Sequence, residues 1–111
     1  MADPNTFFKM TEGNGTTACT VLVRPAQDAT AVTVLDFTTK DDGSYVASEF
    51  FAPNRYFIEW VMLSNDGGTI EIDISDDKGK AVRPPIKDTN KTGKPFKPNG
   101  NEFTIAAEKT P

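Results

Sequence analysis

The side chains best suited to chemistry in this chain sit in two turns, Asp41-Asp42 and Asn65-Asp66. Carboxylate and amide oxygens on loops are what a calcium ion or the hydroxyls of a sugar require. Glycine follows each pair (Gly43, then Gly67-Gly68), so ordinary turn chemistry explains the same residues. Residues 73–79 lack the glycine and acid spacing of a calcium-binding loop. A second concentration is aromatic. Tyr45, Phe50, Phe51, Tyr56, Phe57 and Trp60 place six of the eleven aromatic residues within one short stretch. Aromatic faces stack on apolar surfaces such as those of sugar rings, and Tyr45 and Trp60 add a hydrogen-bonding tip. Together these residues describe a lectin-like surface: Asp41, Asp42, Asn65, Asp66, Tyr45 and Trp60 would contact a carbohydrate. Calcium is the one cofactor to consider, and no metal site is assigned.

Catalytic arrangements are few. Histidine is absent, which removes the Ser-His-Asp and Cys-His nucleophiles and histidine metal sites. Ser44, Ser48, Ser64 and Ser75 have no evident base. Glu49 and Glu59 lie among apolar neighbours, the setting that raises a carboxyl pKa in glycan-cleaving enzymes. Two strand carboxylates do not by themselves make a site, and the chain reads as a non-enzymatic module.

Charge is unevenly spread. Sixteen acidic and twelve basic residues give a net charge of −4, an acidic protein poorly suited to general nucleic-acid binding. Residues 78–97 nevertheless carry seven of the bases, opposed only by Asp88. This stretch could grip an anion, but Phe96 is its only aromatic residue and no glycine pattern cradles phosphate. A solvated Pro/Lys-rich loop accounts for it.

These residues must be positioned by β-structure. The sequence alternates with period two over 16–24, 30–39, 44–51, 56–63, 69–75 and 102–107, with a further short segment at 81–83. Turn residues separate the runs. Residues 69–75 are the clearest strand, with Ile70, Ile72 and Ile74 on one face and Glu71 and Asp73 on the other. The expected fold is all-β: a small antiparallel β-sandwich, Ig-like or lectin-like, of seven or eight strands. Residues 1–111 form its single domain. Residues 1–15 are expected as an eighth, edge strand or a loose N-terminus, and 84–101 as one long loop. The first six strands are expected to run as a meander, with 56–63 and 69–75 as a hairpin. The turns holding Asp41, Asp42, Asn65 and Asp66 then gather at one end.

One strand does not fit a sheet with a wet face. Tyr56, Ile58, Trp60 and Met62 make a uniformly apolar row, which is the expected core. The opposite row holds Phe57, Val61 and Leu63 around Glu59. A half-solvated sheet should be polar there. Burying those three side chains removes roughly 300 Å² of apolar surface, the size at which a patch signals association. Either residues 84–101 cover the row or a partner does. Phe57, Val61 and Leu63 are accordingly the expected interface for a homo-oligomer or a protein partner.

Cys19 is the only cysteine, so no intrachain disulfide forms, which favours a reducing compartment. The chain has no apolar run of membrane-spanning length and no basic, apolar leader, so a cytoplasmic location is expected. The sequons at Asn14 and Asn90 are read as chance. Function is thus read as lectin-like ligand recognition with self-association through an apolar sheet face. The alternatives are a structural subunit of a larger phage or secretion particle, and a glycan-cleaving enzyme.

Overall fold

The computed structural model describes residues 3–107, which form nine strands in two antiparallel sheets and no helix. The strands are β1 (Thr6–Gly13), β2 (Thr16–Pro25), β3 (Thr33–Val34), β4 (Thr38–Thr39), β5 (Tyr45–Glu49), β6 (Asn54–Ser64), β7 (Thr69–Asp76), β8 (Ile86–Thr89) and β9 (Phe96–Ile105). One sheet has five strands in the order β4-β5-β1-β7-β8; the other has four, in the order β3-β2-β6-β9. This is the expected small β-sandwich. The Domain reading of 1–111 also takes in residues 1–2 and 108–111, which lie outside the described residues.

Period-two patterning decides the inside. Phe8 and Met10 of β1, Val21 and Val23 of β2, Ile70, Ile72 and Ile74 of β7, and the Tyr56/Ile58/Trp60/Met62 row of β6 are all buried in one core. At one end Phe8, Phe51, Tyr56 and Phe103 form an aromatic cluster with ring centroids 4.9–6.1 Å apart. Such edge and tilted contacts suit the ring quadrupoles. The Tyr56 hydroxyl is satisfied by donating to Ala52 O at 2.6 Å.

The topology departs from the expected meander. Five of the eight connections cross from one sheet to the other, including those between β1 and β2 and between β6 and β7. Residues 56–63 and 69–75 are therefore not a hairpin; Asn65–Gly68 is an arch over the sandwich edge. Gly68 permits it: a side-chain carbon there would collide with Ser64 and come within 2.8 Å of Thr16 Oγ1. The N-terminal strand is also misplaced by the sequence. Far from an edge, β1 is the central strand of its sheet, paired with β5 on one side and β7 on the other. Its apolar side chains, Phe8 and Met10, match the inward pleat of both neighbours.

Residues 84–101 are not one loop. They contain β8 and the first half of β9, separated by a short turn. Pro98 is tolerated because β9 is an edge strand, where one residue in two needs no ladder N–H. Conversely, the run 30–39 yields only the two-residue strands β3 and β4, in different sheets, because the chain changes layer there with Leu35 buried and Phe37 packed on the core. Residues 81–83 contribute a single bridge, Ser75 to Ala81.

Asn90 holds the arch. It is fully buried. Its backbone N–H donates to Gly68 O at 2.8 Å and its carbonyl accepts from Gly67 N at 2.6 Å. Its side-chain amide donates to Ser64 Oγ and Lys94 O, and its Oδ1 accepts from Thr92 N and Oγ1. Every polar atom is used, which is the condition for burying an amide. The same burial leaves the Asn90 sequon unusable in the folded chain. Asn90→Ala should lower the unfolding free energy by about 2–3 kcal/mol, because it strands Ser64 and the 92–94 turn without partners. Urea denaturation at constant m-value tests this; a loss below the fitting error would show that the arch is held elsewhere.

Candidate functional site

The outer face of the four-stranded sheet is built by the side chains that the core does not use. From β6 these are Arg55, Phe57, Glu59, Val61 and Leu63. The register sets Val61 beside Thr20 and Pro98, Leu63 beside Ala18 and Phe96, and Leu22 beside Val34. The expected interface residues therefore sit as expected, on an outward face, and the structure enlarges their group. Val34 is 59 % exposed, Leu63 46 %, Phe96 45 % and Val61 37 %. Among the described residues no segment lies over this face. The covering segment considered from sequence instead extends the sheet as β9.

Phe57 is the partial exception. It is half-buried, with the Arg24 and Arg55 guanidinium groups 4.8 and 5.4 Å from its ring centre. Both arginines are paired on the same face: Arg24 Nε donates to Glu59 Oε1 at 2.7 Å, and Arg55 lies 3.9 Å from Glu102. Gly100, opposite Glu59, leaves a shallow depression between Phe57 and Glu102. The face is thus apolar at the Leu63 end and charge-compensated at the other. Val34, Phe96 and Pro98 join this face through the two-residue β3 and the proline-bearing β9, strands that local patterning does not reveal.

The free edge of this sheet is closed to strand addition. Asn99 Oδ1 accepts from Gly100 N and Asn101 Oδ1 from Glu102 N, both at 2.8 Å. Arg83 donates to Asn101 Oδ1 at 2.7 Å and to Glu102 O at 2.9 Å. With Pro98 lacking an N–H, few backbone groups of β9 remain to template another strand. The opposite edge, β3, is two residues long.

Of the expected carbohydrate residues, the two acidic turns and Tyr45 come to one end of the five-stranded sheet, where Tyr45 pairs with Met10 and Thr69 with Gly13, while Trp60 is inside. Trp60 is 2 % exposed, and its indole N–H donates to Asp88 Oδ2 at 2.9 Å, so it offers no platform to a ligand. Its inward position follows from the parity of the β6 row. Asp42 Oδ1 accepts from the N–H and hydroxyl of Ser44, which hold its carboxyl below the usual range, and Lys9 lies 3.9 Å away. Asp41 is exposed beside it. Tyr45 is half-buried next to Glu12, whose charge raises the phenol pKa. Asn65 and Asp66 stand exposed on the arch, where Asn65 N–H donates to Gly15 O. Among the described residues, no three of Asp, Glu or Cys come close enough to share a cation, so the two acidic turns do not gather into a calcium site. Glu49 and Glu59 lie on different sheets.

One base of the basic stretch serves the interior, and the lysines at 78, 80, 87, 91 and 94 stay exposed. Lys97 Nζ reaches Asp88 Oδ1 at 2.5 Å, joining β9 to β8 across the sandwich, and Lys87 lies 3.7 Å from Glu71. Burial pushes the Asp88 carboxyl up, but hydrogen bonds from Lys97, Trp60 and Asn99 outweigh it and hold the pKa below the ordinary value. A lowered folded-state pKa contributes stability above the unfolded value of about 3.9, and that stability is lost as pH falls through the lowered value. Asp88→Asn should therefore cost on the order of 2 kcal/mol at pH 7. The gap to the parent should close as acid denaturation begins; a gap constant with pH would show that the carboxylate is not the stabilising form.

Cys19 lies half-buried on the inward side of β2, and burial, with Glu12 and Asp88 nearby, pushes its thiol up to about 12. It remains a thiol at neutral pH and lacks nucleophilic character. A disulfide reagent at pH 8 should label it at least tenfold more slowly in the native chain than in urea; equal rates would place it at the surface.

Compared with protein families, characterised proteins and solved structures, the chain matches none.

Proposed function

We propose that this chain is an assembly module that pairs with a second copy of itself through the outer face of its four-stranded sheet. The observation carrying this reading is the exposed apolar group on the outer face formed by Val61 and Leu63 of β6 with Phe96 beside Leu63 on β9, and with Val34 farther off on the β3 edge beside Leu22. Contiguous apolar surface of this kind on a small protein marks association.

Size supports it. Three strands of ten or eleven residues about 4.8 Å apart, with the two-residue β3 at their edge, present roughly 500 Å². Two copies would bury about 1,000 Å², the low end of the size range for protein–protein interfaces. Charge supports a like partner as well. The chain is net negative, yet the charged residues on this face, Arg24, Arg55, Glu59 and Glu102, are two of each sign and paired within it. A second copy meets no like-charge field there. The closed β9 edge argues for face-to-face docking over sheet extension. A free, protonated Cys19 suits a reducing compartment such as the cytoplasm, where the module would work without disulfides.

Sedimentation equilibrium should give a mass near twice 12.1 kDa for the parent chain. Leu63→Lys, at an exposed position, should shift it to that of a monomer while leaving the far-UV spectrum unchanged. A parent chain that is monomeric at millimolar concentration, or a Leu63→Lys variant that still pairs, would sink the proposal.

A further inference from the structure

The opposite surface of the sandwich carries a second exposed ring. Phe7 lies on β1, the central strand of the five-stranded sheet, and points away from the core that Phe8 enters. It is 39 % exposed. Register explains why nothing covers it: its cross-strand neighbours are Ser48 on β5 and Ser75 on β7, both short. One step along, Lys9 lies between Val46 and Asp73, and Thr38 of β4 lies beside Val46. These side chains, with Asp36 and Glu49, line a groove of about 550 Å³, within the usual range for small-ligand sites.

We propose that this groove binds a neutral or amino-bearing sugar ring, stacked on Phe7. A sugar ring has an apolar C–H face and an edge of hydroxyls, and the groove supplies a complement to each. The phenyl ring presents an apolar surface in the middle of the sheet. Around it, Asp36, Glu49 and Asp73 are acceptors for ligand hydroxyls, while Thr38, Ser48 and Ser75 both donate and accept. Three carboxylates against one ammonium, Lys9, disfavour phosphorylated, sulfated or uronic ligands and favour neutral or cationic ones. A purely apolar ligand would desolvate those carboxylates without replacing their hydrogen bonds. Phe7 makes none of the ring contacts of the core cluster, which uses Phe8, Phe51, Tyr56 and Phe103. The groove lies on the sheet opposite the proposed pairing face, so its occupancy does not depend on self-association.

The full chain, fluorescently labelled, should retain neutral or amino glycans on an array that also carries sulfated and sialylated ones. Titration with the best-retained glycan should show one site per chain. Phe7→Ala should weaken binding at least tenfold, and Asp73→Asn several-fold. Phe50→Ala, which removes an exposed aromatic residue outside the groove, should leave affinity unchanged. If Phe7→Ala does not fold, Phe7→Leu keeps the apolar bulk, removes the ring and should show the same loss. The proposal is overturned if no glycan is retained, if acidic glycans are preferred, or if the Phe7 variants bind as the parent does.

Discussion

The constraint on which the rest of the structure depends is that β6 must bury one face completely. Tyr56, Ile58, Trp60 and Met62 cannot remain in water, and a sheet of this size can hide them only beneath a second sheet. The facing rows of β1 and β7 provide it. Burial of Trp60 then requires an acceptor for its indole N–H, and Asp88 supplies one from across the sandwich. A buried carboxylate in turn requires a cation, and Lys97 supplies it. Lys97 is thus the one base of residues 78–97 that serves the interior; the lysines at 78, 80, 87, 91 and 94 face solvent.

Because β6 gives its even-numbered residues to the core, its odd-numbered ones have no choice but to face outward. Their apolar character is what sets the two outer surfaces of the sandwich apart. The β6 face is apolar with its charges paired among themselves. The β1 face is polar, with one ring rising from it. The first chemistry suits a like surface; the second suits a hydroxyl-bearing ligand. A module that pairs on one side and binds on the other would double its number of ligand sites on assembly, and avidity would follow from geometry alone.

The acidic turns show how turn chemistry imitates a site. Asp28, Asp42 and Asp76 each accept from backbone groups two residues ahead, and Asp42 and Asp28 from hydroxyls as well. Those bonds lower their carboxyl pKa values by local means. The residues keep the bends tight, which explains their abundance without a metal. Asn90 carries the same logic into the interior, where the turn it builds is buried and every amide atom is engaged.

The sequence by itself determined which residues lie inside and which outside along each long strand. Side chains alternate with the backbone pleat, so Ile70, Ile72 and Ile74, or Trp60 against Val61, could be sorted with no knowledge of their neighbours. That was enough for the sandwich class and for the outward placing of Phe57, Val61 and Leu63. Only the tertiary structure decided which strands share a sheet. A glycine-rich turn such as Asn65–Gly68 serves a hairpin or an arch equally well, since the difference lies in what Ser64, Thr16 and Asn90 do around it. The same ignorance hid β1 at the centre of its sheet, β9 within a proline-rich stretch, and the serines that leave Phe7 uncovered. Cross-strand neighbours are distant in the chain, and no local pattern records them.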